Sequence, residues 1–353
     1  MTNAEPEAGA TPQPPAPPRT AAGFARSAGG REWIASGYAD VQAVLADDRF
    51  EVAAVADSGA APGTITWLRA SVSRFATGGE HQRRRALAVT ELGPLDPQEL
   101  RADAHLRALA ALAAAGSSGD RIDVMGLLAR PVPMAALAAG LQAADPAAAA
   151  VAVIAAAAAY FGGADEATTQ AADAGVTQLL ELLGPAAIDI LVARITLLVQ
   201  ACDGTAGLIG EALRVLQDAP GSGAGWPTDG VLTEVLRFSP PVRLSRRVAR
   251  TSGPFAGCPV QAGEVVVGDL DAANADPAVF DHPGRFDPAR SGPASLTFGY
   301  GLRPCPAPQQ ALALAAGVVD AVRETCAFVP GQPVEHEPPA ALRIPRRLDA
   351  TLQ

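Results

Sequence analysis

The sequence predicts a mainly helical α+β domain in which small strand pieces are set among long helices. Three observations carry this reading. Apolar residues recur at helical spacing through most of the chain from Tyr38 to Leu216. The β-branched runs are short and sit between Gly and Pro turns, as in GCPVQAGEVVVGDL after position 256. The order, helices first and strand pieces inserted late, leaves no alternation that would build a parallel sheet.

Residues 1–22 are rich in Pro and Ala and carry no hydrophobic period. They are expected to form a disordered tail, because burial there offers too little to offset ordering entropy. Residues 23–353 then make one domain, with regular order from about Arg31. There REWIASG reads as a strand, and Tyr38-Ala39-Asp40 opens a helix over VQAVLADD. Helical spacing runs from His81 to Ala115, interrupted at Gly93-Pro94, and from Ile122 to Ala159, broken by Pro131, Pro133 and Pro146. Gly162-Gly163 precedes a helix from Glu166 to Leu183, which Gly184-Pro185 ends. A long helix from Ala186 to Leu216 follows. Another, Asp229 to Phe238, stops at Pro240-Pro241, and a last one is expected from about Gln309 to Phe328. No internal repeat and no second core is visible.

Composition excludes several functions. The chain has 353 residues, 37 acidic against 27 basic, and a formal net charge of −10. Without clustered cations it is a poor nucleic-acid binder, so no nucleic-acid partner is expected. Every basic residue is arginine. Lysine-dependent chemistry, from Schiff bases to P-loop phosphate binding, is therefore excluded. Cys202, Cys258, Cys305 and Cys326 form no CxxC pair, which argues against a disulfide framework or a cysteine-rich zinc site. The first twenty residues lack a basic region followed by an apolar run, and Ala147–Phe161 is too short to span a bilayer. A cytoplasmic protein with no membrane partner is expected.

Two segments break local rules and so draw attention as sites. Ala201-Cys202-Asp203-Gly204-Thr205 puts an acid and a glycine inside an apolar helix, where glycine costs about 1 kcal/mol relative to alanine. Phe298-Gly299-Tyr300-Gly301-Leu302-Arg303-Pro304-Cys305-Pro306-Ala307 sets two glycines around an aromatic and ends on a cysteine just ahead of a helix. Such a loop lets the backbone approach a flat ligand, and amide groups at the helix start favour a thiolate.

That loop resembles the cytochrome P450 haem-binding loop, F-x-x-G-x-R-x-C-x-[GA], with every fixed position filled. Glu234-Val235-Leu236-Arg237 resembles the family's E-x-x-R, and the segment from Asp276 to Phe286 resembles the stretch supplying a third member, Arg285. His81-Gln82-Arg83-Arg84-Arg85 resembles [WH]-x-x-x-R, whose His81 and Arg85 share a helix face. Arg247 matches another propionate-binding position. The resemblance extends from about Arg31 to Leu352. It implies the cytochrome P450 fold, a helical haem-sandwiching domain with small β-sheets. It further implies haem b (iron protoporphyrin IX) ligated through its iron by Cys305 and contacted by His81, Arg85, Arg247, Phe298, Gly299, Arg303 and Ala307. A buried network of Glu234, Arg237 and Arg285 would hold the cysteine loop. Implied partners are a small-molecule substrate, of secondary-metabolite type, and a separate ferredoxin/ferredoxin reductase pair, expected to dock on the cysteine side.

The sequence departs from the family at its oxygen-activating groove, commonly [AG]-G-x-[DE]-T-[TS]. Asp203 falls on the acid, Gly204 on the usual threonine, and Thr205 about 100° further round the helix. Asp203, Gly204 and Thr205 are the expected catalytic positions. The loss of the threonine hydroxyl leaves open a substrate- or water-completed relay, peroxide use, or an atypical oxidation such as coupling or desaturation. It also leaves open a haem-thiolate recruiter or sensor that binds without oxygen turnover. The first strand and helix before Arg31 look absent, and the segments 51–75 and 165–189 look shortened. Substrate contacts are expected from 51–75, from Val199–Asp203 and from Val242–Ser245, with Arg243 a candidate carboxylate anchor.

Overall fold

The computed structural model describes residues 23–353 apart from 28, 31, 220, 222, 224, 329–332, 339 and 340, so the expected tail at 1–22 lies outside the described residues. Order begins earlier than the sequence suggests. Strand β1 (Phe24–Arg26) pairs antiparallel with β2 (Glu32–Ala35), because Phe24 stacks on Trp33 at 5.3 Å and gains a partner that its neighbours in sequence do not offer. Helix α1 (Tyr38–Ala46) and β3 (Phe50–Glu51) follow. An irregular stretch then leads to α2 (Ile65–Ser71), which Thr64 caps by accepting from the Trp67 amide. A 3₁₀ turn (Ser73–Phe75) enters α3 (Gly78–Leu92).

The Gly93-Pro94 break holds, and Asp96 caps α4 (Pro97–Ala115). The stretch after Ile122 is less uniform than its spacing suggests. It holds β4 (Arg121–Asp123), a π-helical turn (Met125–Ala129) and α5 (Pro131–Gly140). α6 (Pro146–Tyr160) and α7 (Glu166–Leu182) are capped by Asp145 and Asp165. Prolines 131 and 146 open helices, since a missing N–H costs nothing in the first turn. The 31-residue α8 (Ile188–Asp218) crosses the protein, and 67% of its most apolar window lies inside. That burial marks a core helix, although by length and apolarity it would also span a membrane.

After α9 (Thr228–Phe238) come β5 (Leu244–Ala249), β6 (Gly253–Phe255), β7 (Cys258–Val260), β8 (Val265–Asp269) and the single turn α10 (Leu270–Ala273). Helix α11 (Pro308–Thr325) ends sooner than expected. Cys326–Phe328 turns into β9 and pairs with β10 (Asp349–Leu352), which also pairs with β4.

The main sheet runs β1-β2-β8-β5-β3. Most buried apolar residues form one helical cluster around α8, but Trp33, Val41, Leu45, Phe50, Phe255 and Val266 form a second, smaller one beneath the sheet. The sequence reading saw only the first, because the second is assembled from segments more than 200 residues apart. Close packing of α11 on α4 requires Gly317, where a Cβ would stand 2.3 Å from the Arg101 carbonyl oxygen.

Candidate active site

A cavity of about 310 Å³ opens between α3, α8, the start of β5 and the loop ahead of α11. Its floor is the cysteine loop. Gly299 and Gly301 take φ of +80° and +65°, which L side chains rarely adopt. At Gly301 a Cβ would stand 2.6 Å from the Ala46 Cα, so α1 fixes the loop from outside. The Cys305 amide donates to the Phe298 carbonyl at 2.6 Å, closing the turn. Phe298, Gly299, Arg303, Cys305 and Ala307 all line the cavity.

Burial pushes the Cys305 thiol up, against smaller downward pulls from the Ala307 amide and Arg85. The sequence suggested that helix-start amides alone favour a thiolate, but here desolvation is the largest influence. A cation bound at this sulfur would offset that desolvation.

The cations around the cavity support the same conclusion. Arg74, Arg85, Arg247 and Arg303 all line it, and none has a carboxylate within ion-pair distance among the described residues. Among the described residues, Arg247 donates to the Ser245 hydroxyl and the Arg246 carbonyl. Arg303 donates to the Ala76 carbonyl. Burial, then Arg303 and Arg74, lower Arg247 to about 10. Burial, then Arg303 and Arg85, lower His81 to about 4. A desolvated cluster of like charges is costly unless an anion enters. A flat group carrying two carboxylates fits this cavity. His81, Arg85, Arg247 and Arg303 come together here as the sequence suggests, whereas Arg74 stands in no recognisable spacing and was missed.

On α8, Gln200, Ala201, Gly204 and Thr205 face the cavity. A Cβ on Gly204 would meet nothing within 4 Å. Thr205, one helical step of about 100° from Gly204, is buried on the cavity wall, because that step still falls within the broad face that α8 presents. Asp203 is not on that wall. Its carboxylate lies 3.8 Å from Arg130, which also binds Glu337 at 2.5 Å. Burial outweighs Arg130 and raises the Asp203 carboxyl. Val52, Ser73, Val242, Leu244 and Ser245 also line the cavity. Arg243 does not, since Asp271 holds it at 2.5 Å.

Behind the loop, Glu234 and Arg237, each 3% exposed, pair at 2.6 Å. Arg237 also donates to the carbonyls of Asn274, Pro283 and Arg285. The third side chain is Arg290, 3.1 Å from Glu234, and not Arg285. Arg285 contributes only its carbonyl, which accepts from both Arg237 and Arg290. Four residues of irregular chain separate the two arginines, so spacing could not choose between them.

Fold and cavity together define a haem protein built on a cysteine-bearing loop. A family model described as Cytochrome P450 matches residues 228–307. Cytochrome P450 105C1 of a Streptomyces species is 29% identical over 299 residues, 77% of this chain and 75% of that one. Erythromycin C-12 hydroxylase of Saccharopolyspora erythraea is 33% identical over 108 residues, 29% of this chain and 27% of its own length. The crystal structure of CalO2 superposes with a TM-score of 0.80, covering 94% of this chain and 92% of that one at 21% identity. The chain belongs to the cytochrome P450 family, whose cofactor is haem b.

Proposed function

We propose that residues 23–353 form one haem domain that oxidises a small organic substrate of secondary-metabolite type in the cytoplasm, with electrons from a separate ferredoxin system. The observation that carries this reading is the convergence on one cavity of Cys305 and the cations Arg85, Arg247 and Arg303, none of them in an ion pair among the described residues. Cys305 would hold the iron through its sulfur, and Arg85, Arg247, Arg303 and His81 would hold the two propionates. Bidentate guanidinium groups suit carboxylates better than any point charge. When bound, haem supplies the oxidative chemistry, and a thiolate ligand favours O–O cleavage.

The chain's own part is to orient and to manage protons. Thr205 is the hydroxyl-bearing residue of α8 nearest the departure from the family motif, and its place on the wall supports a relay through it. The Asp203 carboxyl, raised by burial and backed by Arg130, is suited to holding a proton beside that wall. Gly204 leaves room for a substrate hydroxyl or a water in place of the missing threonine.

The test is the spectrum of the reduced, CO-bound protein. A thiolate-type red-shifted Soret band in the wild type, lost in Cys305→Ala, supports the reading. Retention in the variant would overturn it. Turnover with a ferredoxin system then separates oxidation from binding without turnover, the alternative that the missing threonine hydroxyl at Gly204 leaves open.

A further inference from the structure

The cation count at the cavity exceeds what haem requires. Haem b offers two carboxylates, and Arg85, Arg247 and Arg303 already outnumber them. Arg74 remains over on the 51–75 side. It does not stand alone. Arg69 and Arg74 flank the Phe75 ring, with guanidinium carbons 5.4 and 5.9 Å from its centroid, and Arg74 also lies 5.2 Å over Phe161. Neither has a carboxylate within ion-pair distance among the described residues. Aromatic faces fix a guanidinium without neutralising it.

One buried polar atom of this stack is also unpartnered among the described residues, the Arg69 Nε. The Tyr160 hydroxyl, 1% exposed, has Gln200 of the cavity wall as its hydrogen-bonding neighbour, which ties the stack to that wall. The α6–α7 turn is shaped to admit the arrangement. Gly162, at φ +84°, would bring a Cβ to 3.1 Å from the Arg69 guanidinium. Guanidinium groups without a carboxylate partner, one of them on the wall of a largely apolar cavity, favour an anion there.

We infer that Arg74 docks an anionic group on the substrate, which makes the substrate an apolar organic acid; this rests on the oxidase reading above. The acid end sits at Arg74, and the apolar body lies along Leu197, Ala201 and Gly204, which line the same cavity. Arg69 acts as a positioning residue, because it does not line the cavity and acts through the shared Phe75 ring.

The experiment titrates haem-loaded protein with 4-phenylbutanoate and decanoate, each against its methyl ester, at low salt. Binding is read by the Soret shift and by calorimetry. The wild type is expected to bind the acids at least about tenfold more tightly than the esters, with the preference falling as salt screens it. Arg74→Gln should bring acid and ester within about twofold while leaving ester affinity in place, and Arg74→Lys should restore part of the preference. The proposal is overturned if the wild type shows no acid preference for either pair, or if Arg74→Gln keeps it. It is also overturned if Arg74→Gln releases haem, which would make Arg74 a propionate ligand. Failure of the oxidase reading is separate: the CO spectrum would lack its thiolate band whatever the calorimetry gives.

Discussion

The two walls of the cavity are built on opposite principles. Behind the cysteine loop the buried charges are matched: Glu234 meets Arg237 and Arg290, and the carbonyls of Asn274, Pro283 and Arg285 accept from Arg237. On the substrate side, Gly204 leaves open space, and Arg74 lacks a carboxylate within ion-pair distance among the described residues. A saturated network has one low-energy arrangement and fixes the loop. An unsaturated wall is finished by what binds to it. The chain thus holds the ligating end rigid and leaves the substrate end to its ligands.

The sharpest break in this comparison is Cys305→Ala. It should abolish the red-shifted band of the reduced CO complex and all oxygen-dependent turnover, while the apoprotein keeps its helical circular dichroism. Next in size is Glu234→Ala, which strands Arg237 and Arg290 in a site where each partner was satisfied. Breaking a buried pair this way costs about 3–5 kcal/mol, so denaturant unfolding should shift strongly and haem retention should fall. A Glu234 variant with unchanged stability would mean the loop is held by its backbone alone.

How much of this was legible follows the same division. The cysteine loop was readable because its residues answer local demands: positive φ at Gly299 and at the motif's Gly301, a sulfur at Cys305, a helix start after Ala307. His81 and Arg85 were readable from one helix period. What stayed hidden depends on distant partners. Arg290 replaces Arg285 because the irregular chain after Pro283 turns one guanidinium inward, and no spacing rule records that. Arg74 is visible only once α6 brings Phe161 over it. Strand β1 was missed because its partner lies beyond a turn, and the second core because β5 and β8 meet α1 across most of the chain.

Between the two walls, α8 and α9 are joined by Glu211, which is fully buried. It accepts from Ser239 at 2.5 Å and Arg214 at 2.9 Å and binds His336 at 2.7 Å. Burial alone would raise its pKa, but His336, Arg214 and Ser239 together hold the carboxyl at about 2, below its ordinary 4.5. A depressed acid contributes stability that is present above the unfolded value and lost as pH falls through the folded one. Stability should therefore decline between about pH 4.5 and pH 2, and Glu211→Gln should be less stable near neutrality but flatter over that window. Urea midpoints at several pH values would check both. An equally steep decline in the variant would place the acid sensitivity elsewhere.

The smallest effect on stability, and the one that most sharpens the contrast between the walls, is expected from Gly204→Thr. The side chain enters space where a Cβ meets nothing within 4 Å, so no clash opposes it. Replacing a mid-helix glycine with threonine gains a few tenths of a kcal/mol by propensity, roughly 0.3. The melting temperature should hold or rise slightly. The functional effect runs through the added hydroxyl, which occupies the position a substrate hydroxyl or water takes in the wild type. If that wall is left open for the ligand, Gly204→Thr should weaken substrate binding several-fold while raising the fraction of reducing equivalents that reach product for small substrates. Thr205→Ala should lower that fraction in the wild-type background and much less in the Gly204→Thr background. Equal losses in both backgrounds would show that Thr205 acts independently of the open position, and that the substrate end is fixed by the protein as firmly as the cysteine end.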